Sequence, residues 1–319
     1  MPGTQRGVTL RFLAEPMDAN VRGFVDGGKV LEWIDKAGYA AAVGWAGTYA
    51  VTGYVGNIHF IHPVRSTDLV VVQARIVYTG RTSMQIVCTV SSGDPRSDES
   101  TLNTQCILQF VAMEDGKPVA VPSFEPRDDW EREQHDRAVE LNGARRAIEE
   151  AMAEQTFEGE SEACRETLRF LADPTDVNWG GKVHGGYVMA WIDNAAQIVA
   201  ERWGGGPAAL VFAGGVRFYR PMFIGDLVEV EARLLLTGTT SMHINVTVRS
   251  GDPRTRQLRE TTHCTMVFCG IDDKGRKRPV PDWEPRLPLD VALQDHARQM
   301  IAIRDRLLRP LPKELPADV

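Results

Sequence analysis

The sequence predicts an α+β protein built from two copies of one domain, each an antiparallel sheet wrapped around a long central helix. Three observations predict it. The string "DANVRGFVDGGKVLEWIDKA", from Asp18, returns as "DVNWGGKVHGGYVMAWIDNA", from Asp176, 158 positions on and identical at 11 of 20 positions. The same offset holds without a gap through Pro63 and Pro221, Asp68 and Asp226, "TGRTSM" and "TGTTSM", and "SGDPR" twice. Finally, each copy orders its elements as one strand, one helix, then four β-rich runs. A period this long is a duplicated domain and not a solenoid unit.

Each element follows from local chemistry. "VTLRFLAEP" and "ETLRFLADP" alternate as short first strands. A loop with Gly, Asn and Asp leads to helices expected at about 27–45 and 185–203, each about 28 Å long at about 1.5 Å per residue. The four later runs of copy one are "TYAVTGYVGNIHFI", "DLVVVQARIVYTG", "SMQIVCTVSS" and "TLNTQCILQFVAM"; copy two repeats them from "AALVFAGGVRFY" on. Their β-branched residues and alternation read as strands, with Gly, Asp and Pro clusters as turns. Close sequential strands imply antiparallel pairing, and the apolar helix needs that sheet as a cover. We expect domain one over 1–126, a charged helical linker over 127–162, and domain two with a C-terminal helix over 163–319. The Pro-rich end, "RPLPKELPADV", is expected to be loose.

Composition narrows the function classes. Thirty-six basic against 43 acidic residues give a net charge of −7, which argues against a nucleic-acid partner. No apolar run is long enough to span a membrane, and the start lacks the apolar stretch of a signal peptide. Five cysteines without C-x-x-C spacing are expected as buried thiols in a reducing cytoplasm. His59 and His62 are three apart on a strand, so they face opposite sides and make a poor metal pair. Neither a phosphate-binding P-loop nor a G-x-S-x-G elbow is present. No metal and no cofactor are expected.

The candidate site lies where loop becomes helix. Gly27-Gly28 and Gly185-Gly186 let the backbone approach a ligand closely, at a helix terminus rich in unpaired N–H groups. Such a terminus can hold an oxyanion; it can also be a plain turn with Asp26 as N-cap. Asp35 and Asp193 are carboxylates inside apolar helices, which is unfavourable unless they are paired or used. Asp35 lies seven residues past Gly28, about 10.5 Å along the axis. It therefore cannot serve an atom held at its own helix N-terminus, and its partner should come from the other copy. An Asp that merely pairs with an Arg is the structural alternative. Asn20 and Asn178, retained in both loops, suit either a carbonyl or water contact or an Asx turn.

The pattern D-x-N-x-x-G-x-V-x-G-G-x-x-x-x-W-I-D, with the later P…GD and G-x-TSM strings, resembles the acyl-CoA thioesterases of the hotdog superfamily. It is closest to the double-hotdog acyl-CoA hydrolases of the brain acyl-CoA hydrolase type. The likeness covers about 8–126 and 165–285. It implies a tandem hotdog that hydrolyses acyl-CoA to fatty acid and CoA without a metal, CoA entering only as part of the substrate. It implies that Asn20 works with Asp193 and Asn178 with Asp35, the Asp as general base or as nucleophile. His184 precedes the second Gly pair as in the family; Asp26 replaces it in copy one, which puts that site second. By the same resemblance the G-x-TSM region lies near CoA, with Ser83 and Ser241. Arg65, Arg81, Arg217 or Arg220 are the candidates for its phosphates. Three chains would form a six-hotdog ring. A hotdog hydratase–dehydratase and a non-catalytic acyl-CoA binding protein are the rival functions.

Overall fold

The computed structural model describes residues 1–56, 58–153, 157–255 and 257–307, without the side chains of 144–149, 151, 153 and 305–307. The Pro-rich end, 309–319, lies outside the described residues. The chain divides into two compact units. Among the described residues, unit one is Met1–Val139 together with Val177–Ala190, and unit two is Glu140–Asp176 together with 191–307.

Unit one runs β1 (Gly7–Leu13), α1 (Gly27–Ala46), β2 (Ala50–Val55), β3 (Ile58–Phe60), β4 (Leu69–Thr79), β5 (Ser83–Gly93), β6 (Thr101–Glu114), β7 (Lys117–Pro118), then the start of α2 (Asp129–Ala153). Its sheet has the order β1-β4-β5-β6-β2, antiparallel throughout, with β3 and β7 also on β6. Alternation fixes the faces: Val70, Val72, Ala74 and Ile76 of β4 are buried while Val71, Gln73 and Arg75 between them are partly exposed. Helix α1 packs on β1, β2, β4, β5 and β6 through Leu31, Ile34, Ala37 and Ala41. Gly38 allows the close approach, since a Cβ there would stand 2.5 Å from Leu108 Cδ1 and 2.8 Å from Phe110 Cε2. The helix ends at Gly47, whose φ of 73° lets its N–H reach the Val43 carbonyl at 2.8 Å. On the other face of the sheet, Ala138 of α2 packs with Val77 and Val87.

Unit two repeats the layout. It contains β8 (Arg165–Leu171), most of α3 (Gly185–Gly204), β9 (Ala208–Phe218), β10 (Leu227–Thr237), β11 (Ser241–Gly251), β12 (Arg259–Gly270) and α4 (Pro288–Leu307). The strand order is β8-β10-β11-β12-β9, again antiparallel. Leu293 and Ala297 of α4 pack on Leu235.

Each unit is thus the expected hotdog, a sheet around one long helix, and both central helices start at the expected residue. One expected strand differs. The run 48–61 is divided into β2 and β3, where β9 continues unbroken. At the break Gly56 turns against the Ile107 carbonyl, 2.8 Å from where its Cβ would be. All five cysteines are free thiols. Cys88, Cys106, Cys264 and Cys269 are buried as expected, but Cys164 is only half-buried, because it lies in the loop before β8 and not on a strand.

Candidate active site

Unit one brings Asp35 of α1 against the loop and first turn of α3. The Asp35 side chain is 2% exposed. Its Oδ2 accepts the Gly186 N–H at 3.0 Å and lies 3.1 Å from His184 Nδ1. Its Oδ1 accepts the Thr52 hydroxyl at 2.7 Å. Both glycines are required for this approach. A Cβ on Gly186 would stand 2.8 Å from Glu32 Cα, and one on Gly185 3.1 Å from Asp35 Oδ2 and 3.2 Å from Thr52 Oγ1. The expected Gly pair is therefore a docking surface for the other copy's acid, with helix N–H groups aimed at it.

Burial pushes the Asp35 carboxyl above its ordinary value; His184, the Thr52 hydroxyl and the Gly186 N–H pull it back, and Glu32 adds to the rise. Glu32, one turn before Asp35, is itself buried, with Lys29 at 3.2 Å and Lys36 also paired to it. A buried carboxylate with one donor on each oxygen and the His184 ring beside it is suited to take up and return a proton.

Asn178 lies in the same loop and bonds mainly there, with the Tyr49 side chain also against it. Its Oδ1 accepts from Gly180 N at 2.8 Å and Lys182 N at 3.1 Å, and its Nδ2 reaches the Val183 carbonyl at 3.4 Å. This is the Asx-turn geometry. Asn20 does likewise: its Oδ1 accepts from Arg22 N at 3.0 Å, and its Nδ2 donates to Asp26 Oδ1 at 2.9 Å. Asp26 precedes α1 at the cap position, but its side chain makes no cap bond. It holds Asn20 instead. Gly27 and Gly28 open α1, and Asp193 is buried in α3 with 1% exposure.

The candidate CoA contacts fall at different places. Arg65 precedes β4 and Arg81 and Ser83 follow it, so the eleven-residue strand holds them about 35 Å apart at about 3.3 Å per residue. Arg220 and Ser241 are separated in the same way by β10. Arg220 lines a surface cavity of about 490 Å³ with Arg259, Ser250 and Thr255. Arg217 stacks its guanidinium over Tyr219.

Two residues at Asp35 escaped the sequence reading. Thr52 sits on β2, opposite Phe110; at the equivalent register of copy two, Leu210 lies opposite Phe268. The hydroxyl is thus a feature of copy one alone. Glu32 had a signal, a charge in the same apolar helix, but copy two has Ala190 in its place.

Comparison with known proteins agrees with this fold. The thioesterase superfamily model matches residues 22–99 and 180–257. Acyl-coenzyme A thioesterase 11 of Mus musculus is 25% identical over 289 residues, covering 85% of this chain and 49% of its own length. Acyl-CoA thioester hydrolase YciA of Salmonella typhimurium is 33% identical over 117 residues, which are 36% of this chain and 88% of that protein. A solved structure from Lactobacillus plantarum, 11% identical, superposes with a TM-score of 0.59 over 85% of this chain and 100% of its own, a likeness of fold. The chain spans about half the length of the mouse relatives it matches.

Proposed function

The chain belongs to the hotdog acyl-CoA thioesterase family, and from that premise we propose that it hydrolyses acyl-CoA to fatty acid and CoA at Asp35. The observation that carries this reading is the buried Asp35 carboxylate, held by Thr52 and facing a helix N-terminus from the other copy. Asp35 takes a proton from water as the water oxygen bonds to the thioester carbonyl carbon. The carbonyl electron pair moves to oxygen, and the positive end of the α3 dipole favours the charge that develops. The intermediate collapses, the C–S bond breaks, and the proton on Asp35 passes to the departing CoA sulfur. We assign the Asp as base, because both its oxygens are already bonded and a tied carboxylate is a poor nucleophile. His184 opposes the rise that burial imposes on the Asp35 carboxyl. Asn178, fixed in its loop, shapes the turn that presents Gly185 and Gly186.

The test is thiol release from a range of acyl-CoA esters by wild type and Asp35→Asn. The variant is expected to lose about 10²–10⁴-fold in turnover. An unchanged rate refutes the assignment. A single turnover in ¹⁸O water with enzyme in excess separates base from nucleophile: label in all the product acid supports the base.

His184 beside Asp35 favours a second reading. A histidine and an acid together also suit proton transfer on the acyl chain of an enoyl-CoA or hydroxyacyl-CoA. Loss of enoyl absorbance without thiol release would identify that chemistry.

No helix among the described residues is long and apolar enough to cross a membrane. We place the protein in the cytoplasm, where its five free thiols stay reduced. We propose three chains to the assembly, so light scattering should give about three times 35.4 kDa. No metal and no cofactor enter the proposed steps.

A further inference from the structure

An aromatic cluster borders the Asp35 site in unit one and has no counterpart in the repeat. Tyr39 follows Asp35 by one turn on the same face of α1. Trp179, directly after Asn178, stacks on Tyr39 with centroids 4.4 Å apart and planes at 6°. Tyr49, just before β2, lies 6.2 Å from Tyr39. Its ring fills the space beside Gly180, where a Cβ would collide with it. Trp179 in turn stands 6.0 Å from the His184 ring. At the repeat offset the three positions are Val21, Gln197 and Pro207. Trp179 is 68% exposed, although a ring of that size is normally covered. Its stacked face is on Tyr39; its other surface is open beside the reacting groups.

Resting on the thioesterase reading, we infer that Tyr39, Tyr49 and Trp179 form the acyl-side wall of the Asp35 site and limit the length of acyl chain it accepts. A thioester carbon held at Asp35 carries two arms. The CoA arm bears phosphates and must remain in water. The acyl arm is apolar and gains by leaving it, at about four-fold per methylene when fully buried. The stacked rings are an apolar surface beside His184 that is open on one side, and the acyl arm is assigned to it. A stacked, interlocked wall yields little, so a chain that reaches it can go no further.

The experiment measures two things in wild type, Trp179→Ala, Tyr39→Ala and Trp179→Phe. One is kcat/KM for saturated acyl-CoA esters from acetyl to palmitoyl. The other is calorimetric Kd for non-hydrolysable S-alkyl-CoA thioethers of the same lengths. Opening the wall is expected to raise the long-to-short ratio about ten-fold or more in both, as two or three newly accepted methylenes imply. Trp179→Phe should restore most of the wild-type profile. An unchanged profile in both measurements, or a uniform loss at every length, overturns the inference. If wild type releases thiol and the profile does not move, the inference fails and the hydrolase reading stands. If no ester is cleaved but the thioether series shifts, the wall stands and the hydrolase reading fails.

Discussion

The Gly186 N–H and the Asp35 carboxylate are 3.0 Å apart, yet 151 residues separate them in the chain. This bond explains the acid in the apolar helix. The carboxylate is not buried against hydrocarbon alone: it meets a helix N-terminus whose first N–H groups have no intrahelical partner. The arrangement needs Gly on one side and an acid on the other. Either partner alone would leave a polar group unsatisfied in the interior.

Gly186→Ala should therefore damage both fold and site. Its Cβ would come 2.8 Å from the Glu32 Cα, a backbone atom that cannot rotate away. The two helices must separate, at a cost of about 1–3 kcal/mol. The same movement lengthens the Gly186–Asp35 bond. A lower melting temperature together with at least about ten-fold lower turnover is expected; calorimetry and thiol release check it.

Thr52→Val keeps the shape and removes a hydrogen bond to the charged form of Asp35. Bonds to charged groups are worth about 1.5–3 kcal/mol, and this one lowers the Asp35 pKa. Without it, Asp35 holds its proton to higher pH. A base acts only when ionised, so the acidic limb of kcat/KM should move to higher pH in Thr52→Val. His184→Gln should move it the same way, because His184 also favours the ionised form. In wild type it should lie above pH 3.8, the ordinary value for Asp. pH–rate profiles of the three proteins decide this; a limb that moves to lower pH in either variant refutes the assignment.

Thr67 is a β-branched residue at φ 76°, and its repeat equivalent is Gly225 at φ 86°. Both N–H groups make the same bond, Thr67 to the Ala14 carbonyl at 2.7 Å and Gly225 to Ala172 at 2.9 Å. The turn therefore demands the left-handed conformation whatever the side chain. Thr67→Gly should relieve a strain of about 1–2 kcal/mol and lose part of it to the entropy of the unfolded glycine. A small rise in melting temperature with unchanged activity is expected.

Much of this was legible in the sequence for definite reasons. The repeat offset carried the strand order from one copy to the other. Helix geometry put Asp35 too far from Gly28 to share an atom with it, so a shared site needed the other copy, and Gly186 of that copy bonds Asp35. The role of Thr52 was not legible, because it depends on how β2 approaches α1, a relation between elements that no local pattern encodes. For Asn178, both readings were open in the sequence, and its Oδ1 makes the turn's bonds, to Gly180 N and Lys182 N. The division between β2 and β3 was hidden because "VTGYVGNIHF" reads as one β-rich run; among the described residues at the break, Gly56 meets the Ile107 carbonyl, a long-range contact that no local pattern encodes.

The last prediction concerns acid stability in unit two. His263 is buried on β12, with Nε2 bonded to Asn245 Oδ1 and the ring edge-on to Phe157. Burial, helped by His296 and Arg249, pushes its pKa from 6.5 down to about 4. In the unfolded chain it takes up a proton below about 6.5; in the folded protein it does so only below about 4. Between those values the unfolded state binds more protons, so stability falls as the pH falls. Copy one has Gln105 at this position, so the sheet accepts an amide here. An amide can also keep the bond to Asn245 Oδ1, since Gln carries an NH₂ donor. His263→Gln should therefore be close to wild type at pH 7. The difference in unfolding free energy between pH 7 and pH 4.5 should shrink by about 2 kcal/mol, at about 1.4 kcal/mol per pKa unit. His243, also held at about 4 by burial and Arg304, keeps its own slope in the variant. Denaturant titrations at the two pH values measure the change, and an equal loss in both proteins would show that His263 is not the group responsible.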